Sequence, residues 1–212
     1  MTSHTTNVPM PTVTQRTYVV LGAPRGGTSL IAGALHAAGI YMGQFATGQY
    51  EDIDFKIAPA DVKRGLDVTR RLSPIIERRN QQHRYWGWKL PNTIYYIEQV
   101  QHLLINPVFL FVYRDQESIA RSSAKHDKKR WWLHRRQLRR VARNHTQLVQ
   151  NFEQSLDLSI AKARFQVEDI HKDVPRFVEQ LATLVQPYQF DKEAVTNFIN
   201  PNGGYATPNA AS

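Results

Sequence analysis

The hydrophobic positions form four short runs, separated by longer stretches with helical periodicity. Each run is apolar or aromatic and is bounded by polar or turn residues, which is typical of buried strands. The predicted strands are Tyr18–Leu21, Tyr85–Lys89, Val108–Tyr113 and Ala163–Val167. The predicted helices are Ser29–Ala38, Ala60–Arg79, Thr93–Leu104 and one that begins at Asp173 and ends at Pro187. Strands that alternate with helices predict an α/β fold, with a parallel sheet flanked by helices on both faces.

A further helix is predicted from Trp131 to Phe152. At about 100° per residue, one side of this helix collects positions that are expected to pack. They are Trp131, His134, Leu138, Val141, Ala142, His145, Leu148, Val149 and Phe152. The opposite arc collects Arg135, Arg136, Arg139, Arg140 and Arg143. The pattern therefore predicts a helix with one packed face and one basic face.

This basic face carries most of the net charge of +9. Residues 125–143 hold nine Lys or Arg against the single acid Asp127, so the rest of the chain is nearly neutral. A concentrated basic element is expected to contact an anionic group, such as an acceptor, an acidic polysaccharide or a membrane surface. Nucleic acid, with Trp131 and Trp132 as stacking platforms, is the less favoured partner. A solvated basic face is the simplest interpretation for most of these residues.

The length of 212 residues fits one domain, which we place at residues 17–200. Residues 1–16 are expected to be a disordered lead and residues 201–212 a loose tail. No apolar stretch of 18 residues occurs, so no membrane span is predicted. Cysteine is absent, which excludes a disulfide scaffold and a Cys-based metal site and favours a cytoplasmic location. The eight histidines form no metal pattern, and His134 and His145 are expected to be packed.

A glycine-rich turn joins the first strand to the first helix. Such a turn directs backbone N–H groups, together with the start of a helix, toward a bound anion. The spacing Gly22-x4-Gly27-x-Ser29 resembles a Walker A loop, so the expected fold is a P-loop-like three-layer sandwich. However, Thr28 occupies the position of the ATPase lysine, and the cation comes three residues earlier, at Arg25. The alternative is a glycine-rich turn with only a structural role.

The turn Pro-Arg-Gly-Gly-Thr-Ser at residues 24–29 resembles the 5′-phosphosulfate loop of sulfotransferases. The resemblance implies the donor 3′-phosphoadenosine 5′-phosphosulfate (PAPS), with no metal. The implied donor-binding residues of this loop are Arg25, Gly26, Gly27, Thr28 and Ser29. Arg25 would contact the oxygen that bridges phosphate and sulfate, where charge develops as the S–O bond breaks.

A second motif follows the strand Val108–Tyr113. Arg114 and Ser122, eight residues apart, resemble the family pair that holds the 3′-phosphate. An arginine can bind two phosphate oxygens and a serine can donate a further hydrogen bond. The alternative is that Arg114 pairs with Asp115 or Glu117 and that Ser122 caps a helix.

Two further segments resemble one branch of the same family. In residues 48–52, Glu51 corresponds to a carboxylate that acts as general base, and in residues 86–91, Lys89 lies at the active centre. Glu51 is otherwise a solvated loop acid. Residues 165–170 resemble a late strand and turn of the family, with a structural role. The basic loop ending Gly-x-Trp-Lys that closes the site in many members is missing, since the tail offers only residues 202–205 without a cation.

The sequence therefore predicts a sulfotransferase that moves a sulfuryl group from PAPS to a hydroxyl or amine. Its predicted catalytic residues are Arg25, Glu51 and Lys89, and its acceptor, a small molecule or a saccharide, is not specified by the pattern. The alternatives are a nucleotide kinase with a degenerate P-loop, a nucleic-acid-binding protein that uses the basic helix at residues 128–143, and a catalytically inactive binding protein.

Overall fold

The computed structural model describes residues 15–45, 48–126, 131–199 and 205, and gives only the backbone of residues 126 and 131–135. The predicted lead and tail therefore lie almost wholly outside the described residues. Arg16, at the end of the predicted lead, is the first residue of a strand. In the described part of the chain, no helix combines the length and the apolar character needed to cross a membrane.

The sheet has four strands, and each neighbouring pair in it is parallel. The strands are β1 (Arg16–Gly22), β2 (Tyr85–Lys89), β3 (Pro107–Tyr113) and β4 (Ala161–Gln166). Their order is β2-β1-β3-β4. The predicted α/β fold and all four predicted strands are confirmed, with ends that differ by at most two residues. The last strand stops one residue early because Val167 already begins a helix.

Helices cover both faces of the sheet. They are α1 (Thr28–Ala37), α2 (Pro59–Lys63), α3 (Val68–Gln82), α4 (Ile97–Val100), α5 (Gln116–His126), α6 (Trp131–Ser155), α7 (Val167–Lys172), α8 (Val174–Val185) and α9 (Lys192–Phe198). Three short 3-10 helices are Ile53–Phe55, Pro91–Tyr95 and Gln101–Leu103. Asp173 caps α8 as predicted, because its side chain accepts a hydrogen bond from the backbone N–H of Arg176.

Two predicted helices are wrong in extent. The helix expected over Ala60–Arg79 is divided into α2 and α3, because Gly65 adopts a left-handed φ of 86° and Asp67 caps a new helix. The helix expected over Thr93–Leu104 is a series of short turns around α4. There the Tyr96 hydroxyl donates to the Phe55 carbonyl at 2.7 Å, a tertiary contact that helical periodicity does not encode.

Alternation along the two central strands divides the core between the two layers. In β1, Tyr18 and Val20 face the layer of α1, α8 and α9, whereas Val19 and Leu21 face the layer of α3, α4 and α6. All four of these side chains are buried, as expected for a parallel strand that is covered on both faces. The sheet is therefore the middle of three layers, and the carboxyl ends of β1, β2 and β3 lie at one edge of it.

Helix α6 packs along a narrower stripe than its sequence predicted. Ala142, His145, Val149 and Phe152 are buried, but Val141 and Leu148 are exposed, so their assignment to the packed face was wrong. The two exposed residues lie at the margin of the apolar side, beyond the reach of the core. This leaves two apolar side chains beside the basic face.

The described part of the basic face agrees with the prediction. Arg136, Arg140 and Arg143 are exposed, and Arg139 forms an ion pair with Glu117 of α5. The side chains of Trp131, Trp132, His134 and Arg135 lie outside the described residues, as do residues 127–130 altogether.

Candidate active site

A cavity of about 320 Å³ opens at the carboxyl ends of β1, β2 and β3. The sequence-predicted residues that line it are Arg25, Gly27, Thr28, Ser29, Glu51, Lys89, Arg114 and Ser122. They come from five separate segments of the chain, so the fold brings together side chains that are almost 100 residues apart. Gly26 is the one predicted site residue that does not line the cavity, and its N–H donates to the Ala23 carbonyl at 2.8 Å.

The loop between β1 and α1 is shaped for a close approach of backbone to ligand. Arg25 has a φ of 61° and Gly27, the N-cap of α1, has a φ of 88°. A Cβ on Gly27 would lie 2.4 Å from Cγ2 of Val167, so only glycine fits this position. In the described residues no side chain caps the N-terminus of α1, which leaves its first N–H groups directed at the cavity. This arrangement can bind an anion.

The second motif contacts this loop directly. The Nε of Arg25 donates to Oγ of Ser122 at 3.1 Å, and Nη1 of Arg114 donates to the carbonyl of Arg25 at 3.3 Å. The Nε of Arg114 is buried and has no hydrogen-bond partner among the described residues. A buried cationic donor without a partner is costly, so this atom fits an anionic ligand that would satisfy it.

The alternative partners of Arg114 are engaged elsewhere. Asp115 caps α5, accepting from the backbone N–H groups of Glu117 at 2.9 Å and Ser118 at 3.0 Å. Glu117 is paired with Arg139 of α6. Among the described residues, Arg114 is therefore not held by an ion pair with Asp115 or Glu117.

Lys89 and Glu51 meet on the wall opposite the second motif. The Nζ of Lys89 lies 3.4 Å from Oε1 of Glu51. The lysine side chain is only 1% exposed, whereas the glutamate is 34% exposed. Burial lowers the pKa of Lys89 to about 8, with Glu51 opposing the shift and Arg25 adding to it. Glu51 is thus a paired carboxylate at the cavity rather than a free loop acid.

Four lining residues were not predicted: Pro24, Gln49, Pro91 and Tyr205. Gln49 is held to the loop because its carbonyl accepts from Oγ of Ser29 at 2.8 Å. Tyr205 reaches the cavity through an antiparallel bridge with Ile199 and stacks on Phe198 at 5.6 Å. No sequence pattern marks either residue, since a backbone carbonyl and a tail residue acquire their position only from tertiary contacts.

His145 of α6 lies behind this wall. Its Nε2 is 3.1 Å from the carbonyl of Pro91, and burial lowers the pKa of the imidazole. The prediction of a packed, hydrogen-bonded histidine is confirmed. Over residues 15–45, 48–126, 131–199 and 205, no three His, Asp or Glu side chains are grouped in a way that could hold a metal ion.

A larger hollow of about 410 Å³ lies between β4, α7 and α8, away from the predicted residues. Its charges are largely used within the protein, since Lys172 pairs with Asp169 and Asp173 caps α8. Because the predicted chemistry converges on the smaller cavity, we take that one as the candidate active site.

Comparison with known proteins identifies the fold. No family model and no curated protein sequence matches the chain. Among solved structures, the sulfotransferase domain of the Synechococcus PCC 7002 olefin synthase is similar with a TM-score of 0.61 and 14% identity, over 90% of this chain and 78% of that one. Sulfotransferase STF1 from Mycobacterium tuberculosis H37Rv has a TM-score of 0.54 and 12% identity, over 86% and 71%. The sulfotransferase domain from the curacin biosynthetic pathway has a TM-score of 0.50 and 18% identity, over 82% and 78%. The chain therefore has the fold of the sulfotransferase domains.

Proposed function

We propose that the protein is a sulfotransferase that transfers a sulfuryl group from PAPS to the hydroxyl or amine of an acceptor. One observation carries the proposal: the loop cation Arg25, the pair Arg114 and Ser122, and the pair Glu51 and Lys89 all line one cavity. The fold of sulfotransferase domains supports the same assignment, although a fold alone does not determine a reaction.

The residues present fit the donor. The uncapped start of α1 and the glycine at position 27 favour a phosphosulfate group close to the backbone. The buried Nε of Arg114, which lacks a partner among the described residues, favours a second anionic group beside Ser122. Arg25 links the two positions through its hydrogen bond to Ser122. A nucleotide with phosphates at both its 5′ and 3′ positions satisfies both requirements.

When bound, PAPS supplies a sulfuryl group on a phosphate leaving group. Arg25 and Lys89 place positive charge at the floor of the cavity, where negative charge would accumulate as the bond breaks. Glu51 is the carboxylate at the cavity wall and would accept the proton of the acceptor at its carboxylate oxygen. The Nζ of the neighbouring Lys89, 3.4 Å away, holds Glu51 at the cavity wall.

The first test is a calorimetric titration with 3′-phosphoadenosine 5′-phosphate (PAP), the spent donor, beside ADP and magnesium ATP. We expect micromolar binding of PAP with at least a tenfold preference over ADP, which corresponds to about 1.4 kcal/mol. A preference for magnesium ATP would favour a kinase. Salt-sensitive binding of generic DNA or RNA without PAP binding would favour a nucleic-acid partner for the basic face.

Two variants localise the effect. Arg25→Ala and Arg114→Ala are each expected to weaken PAP binding, whereas Arg64→Ala is the matched control, because Arg64 is an exposed arginine paired with Asp61 on α2. If both cavity variants bind PAP as the native protein does, the assignment of the donor site is wrong.

A further inference from the structure

The segment that carries Glu51 is anchored on both sides. Tyr50 and Asp52 are buried at 4% and 0% exposure, so the side chain between them is directed the other way, into the cavity. Tyr50 has a left-handed φ of 54°, and its ring packs against Phe45 and Phe198. The two buried neighbours of Glu51 therefore restrict its orientation, in addition to the contact that Glu51 makes with Lys89.

Asp52 connects this segment to the strand that carries Lys89. The backbone N–H of Asp52 donates to the backbone carbonyl of Lys89 at 3.2 Å. Its carboxylate accepts from the backbone N–H of Gln44 at 3.4 Å and of Asp54 at 3.2 Å. A Cβ on Gly43 would overlap this carboxylate, so the backbone there has closed directly over it. Asp52 thus fixes the distance between the segment that carries Glu51 and the strand that carries Lys89.

Arg79 of α3 holds the Asp52 carboxylate with a forked contact. Its Nη1 is hydrogen-bonded to Oδ2 of Asp52, and its Nη2 donates to Oδ1 at 3.1 Å. The same Nη2 donates to Asp54 at 2.8 Å. The guanidinium is 2% exposed and lies over the rings of Tyr41, Phe55 and Trp86, at 5.2, 5.2 and 5.7 Å from their centroids. Its orientation is therefore restricted by aromatic packing as well as by hydrogen bonds.

We propose that Asp52 and Arg79 are positioning residues that hold Glu51 against Lys89 and so keep the base of the reaction in place. The inference rests on the proposed function, in which Glu51 takes the proton of the acceptor. Neither Asp52 nor Arg79 lines the cavity, so both act through Glu51. A buried ion pair is a weak source of stability compared with apolar packing, but its fork fixes direction, which apolar packing does not.

The test measures the Glu51–Lys89 contact directly and needs no nucleotide. The protonation of Lys89 is followed by NMR of its ¹³Cε as pH rises, with the signal assigned by Lys89→Arg. Glu51 and Arg25 are the charged groups that act on Lys89, and Glu51 raises its pKa. Loss of the contact must therefore lower the pH at which Lys89 titrates. Glu51→Gln gives the full size of this shift.

The decisive variant is Asp52→Asn with Arg79→Met. It removes the charges of Asp52 and Arg79 together, so the net charge near Lys89 is unchanged. Asp54 loses Arg79 but keeps its contact with Arg78 and is partly exposed. We expect Lys89 to titrate at lower pH, in the direction of Glu51→Gln, with no further shift when Glu51→Gln is added. Arg78→Met is the control, because Arg78 lies next to Arg79 on α3 and pairs with Asp54 but not with Asp52. It should leave the titration unchanged.

If Lys89 titrates in the double variant at the same pH as in the native protein, the inference is wrong, and Asp52 and Arg79 have only a structural role. If that variant does not fold, Arg79→Lys, which keeps the cation and loses the fork, gives the same test with a smaller shift. With PAPS as the donor and an acceptor alcohol, the variant should lower kcat by at least tenfold, while the affinity for PAP changes less than threefold. Failure of the native protein to bind PAP would contradict the proposed function instead, and would leave the NMR result as it stands.

Discussion

We predict that Arg114 lowers the stability of the ligand-free protein and increases its affinity for the nucleotide. Its buried Nε has no partner among the described residues, and such a donor costs about 1–3 kcal/mol. Its hydrogen bond from Nη1 to the Arg25 carbonyl is long, at 3.3 Å, so it contributes about 1.5 kcal/mol, the low end for a charged donor. The variant Arg114→Met removes both the unpaired donor and this bond, so the free energy of unfolding without ligand is expected to stay level or rise by up to about 1.5 kcal/mol.

With PAP bound, Arg114→Met is expected to lose stability relative to the native protein. A hydrogen bond to a charged group contributes about 1.5–3 kcal/mol, so the variant should bind PAP about 10- to 150-fold more weakly. At a PAP concentration 100 times the native Kd, ligand binding stabilises the native protein by about 2.7 kcal/mol. The same concentration should stabilise the variant by about 1.4 kcal/mol or less.

Urea unfolding, monitored by circular dichroism with and without PAP, measures both quantities in one series. The control is Arg64→Met, which removes an exposed arginine and should change neither by more than about 0.5 kcal/mol. A loss of 2 kcal/mol or more without ligand in Arg114→Met, or an undiminished gain with PAP, would refute the reasoning. The first result would show that Arg114 is satisfied structurally, and the second that it does not bind the nucleotide.

Three further predictions concern the loop, the lysine and α6. Gly27→Ala should destabilise the protein by about 2–5 kcal/mol in urea unfolding, because the alanine is strained in the left-handed conformation and its Cβ overlaps Val167. Adding Val167→Ala should recover only the part of the lost stability that comes from this overlap. The affinity for PAP, measured by calorimetry between pH 7 and 9.5, should be highest below about pH 8 and should decrease as the pH rises through 8, because Lys89 then loses its charge. In Lys89→Met this decrease should be absent. Val149→Ala should cost about 2 kcal/mol in thermal unfolding, and the matched Val141→Ala less than about 0.5 kcal/mol, since the first valine is buried and the second is 62% exposed.

Local patterns were reliable where one short segment contains the whole signal. The strand Tyr85–Lys89 was predicted with the bounds that the structure has, because its three aromatic residues have high β-propensity and Arg84 and Pro91 flank the segment. The turn before α1 was predicted for the same reason, since Gly27 provides the left-handed backbone that the turn requires. The break at Gly65 was missed, because one glycine within a helical pattern does not by itself show where a helix ends.

The chemical character of the candidate site was also present in the sequence. Arg25, Lys89 and Arg114 each lie at or just beyond the end of a predicted strand, and parallel strands end at one edge of a sheet. That topology brings them to a common edge once the order of the strands is known. Glu51 has no such strand, and its place beside Lys89 depends on Asp52, whose partner Arg79 is 27 residues away.

The sequence by itself thus determined the α/β class, the strands and the glycine-rich turn before α1, because these depend on periodicity and on backbone preferences of neighbouring residues. Only the tertiary structure decided which carboxylate meets which cation, that Tyr205 of the tail lines the cavity, and that Val141 and Leu148 remain exposed on α6. Those features depend on contacts between distant segments, whose free energies come from packing geometry that no local pattern records.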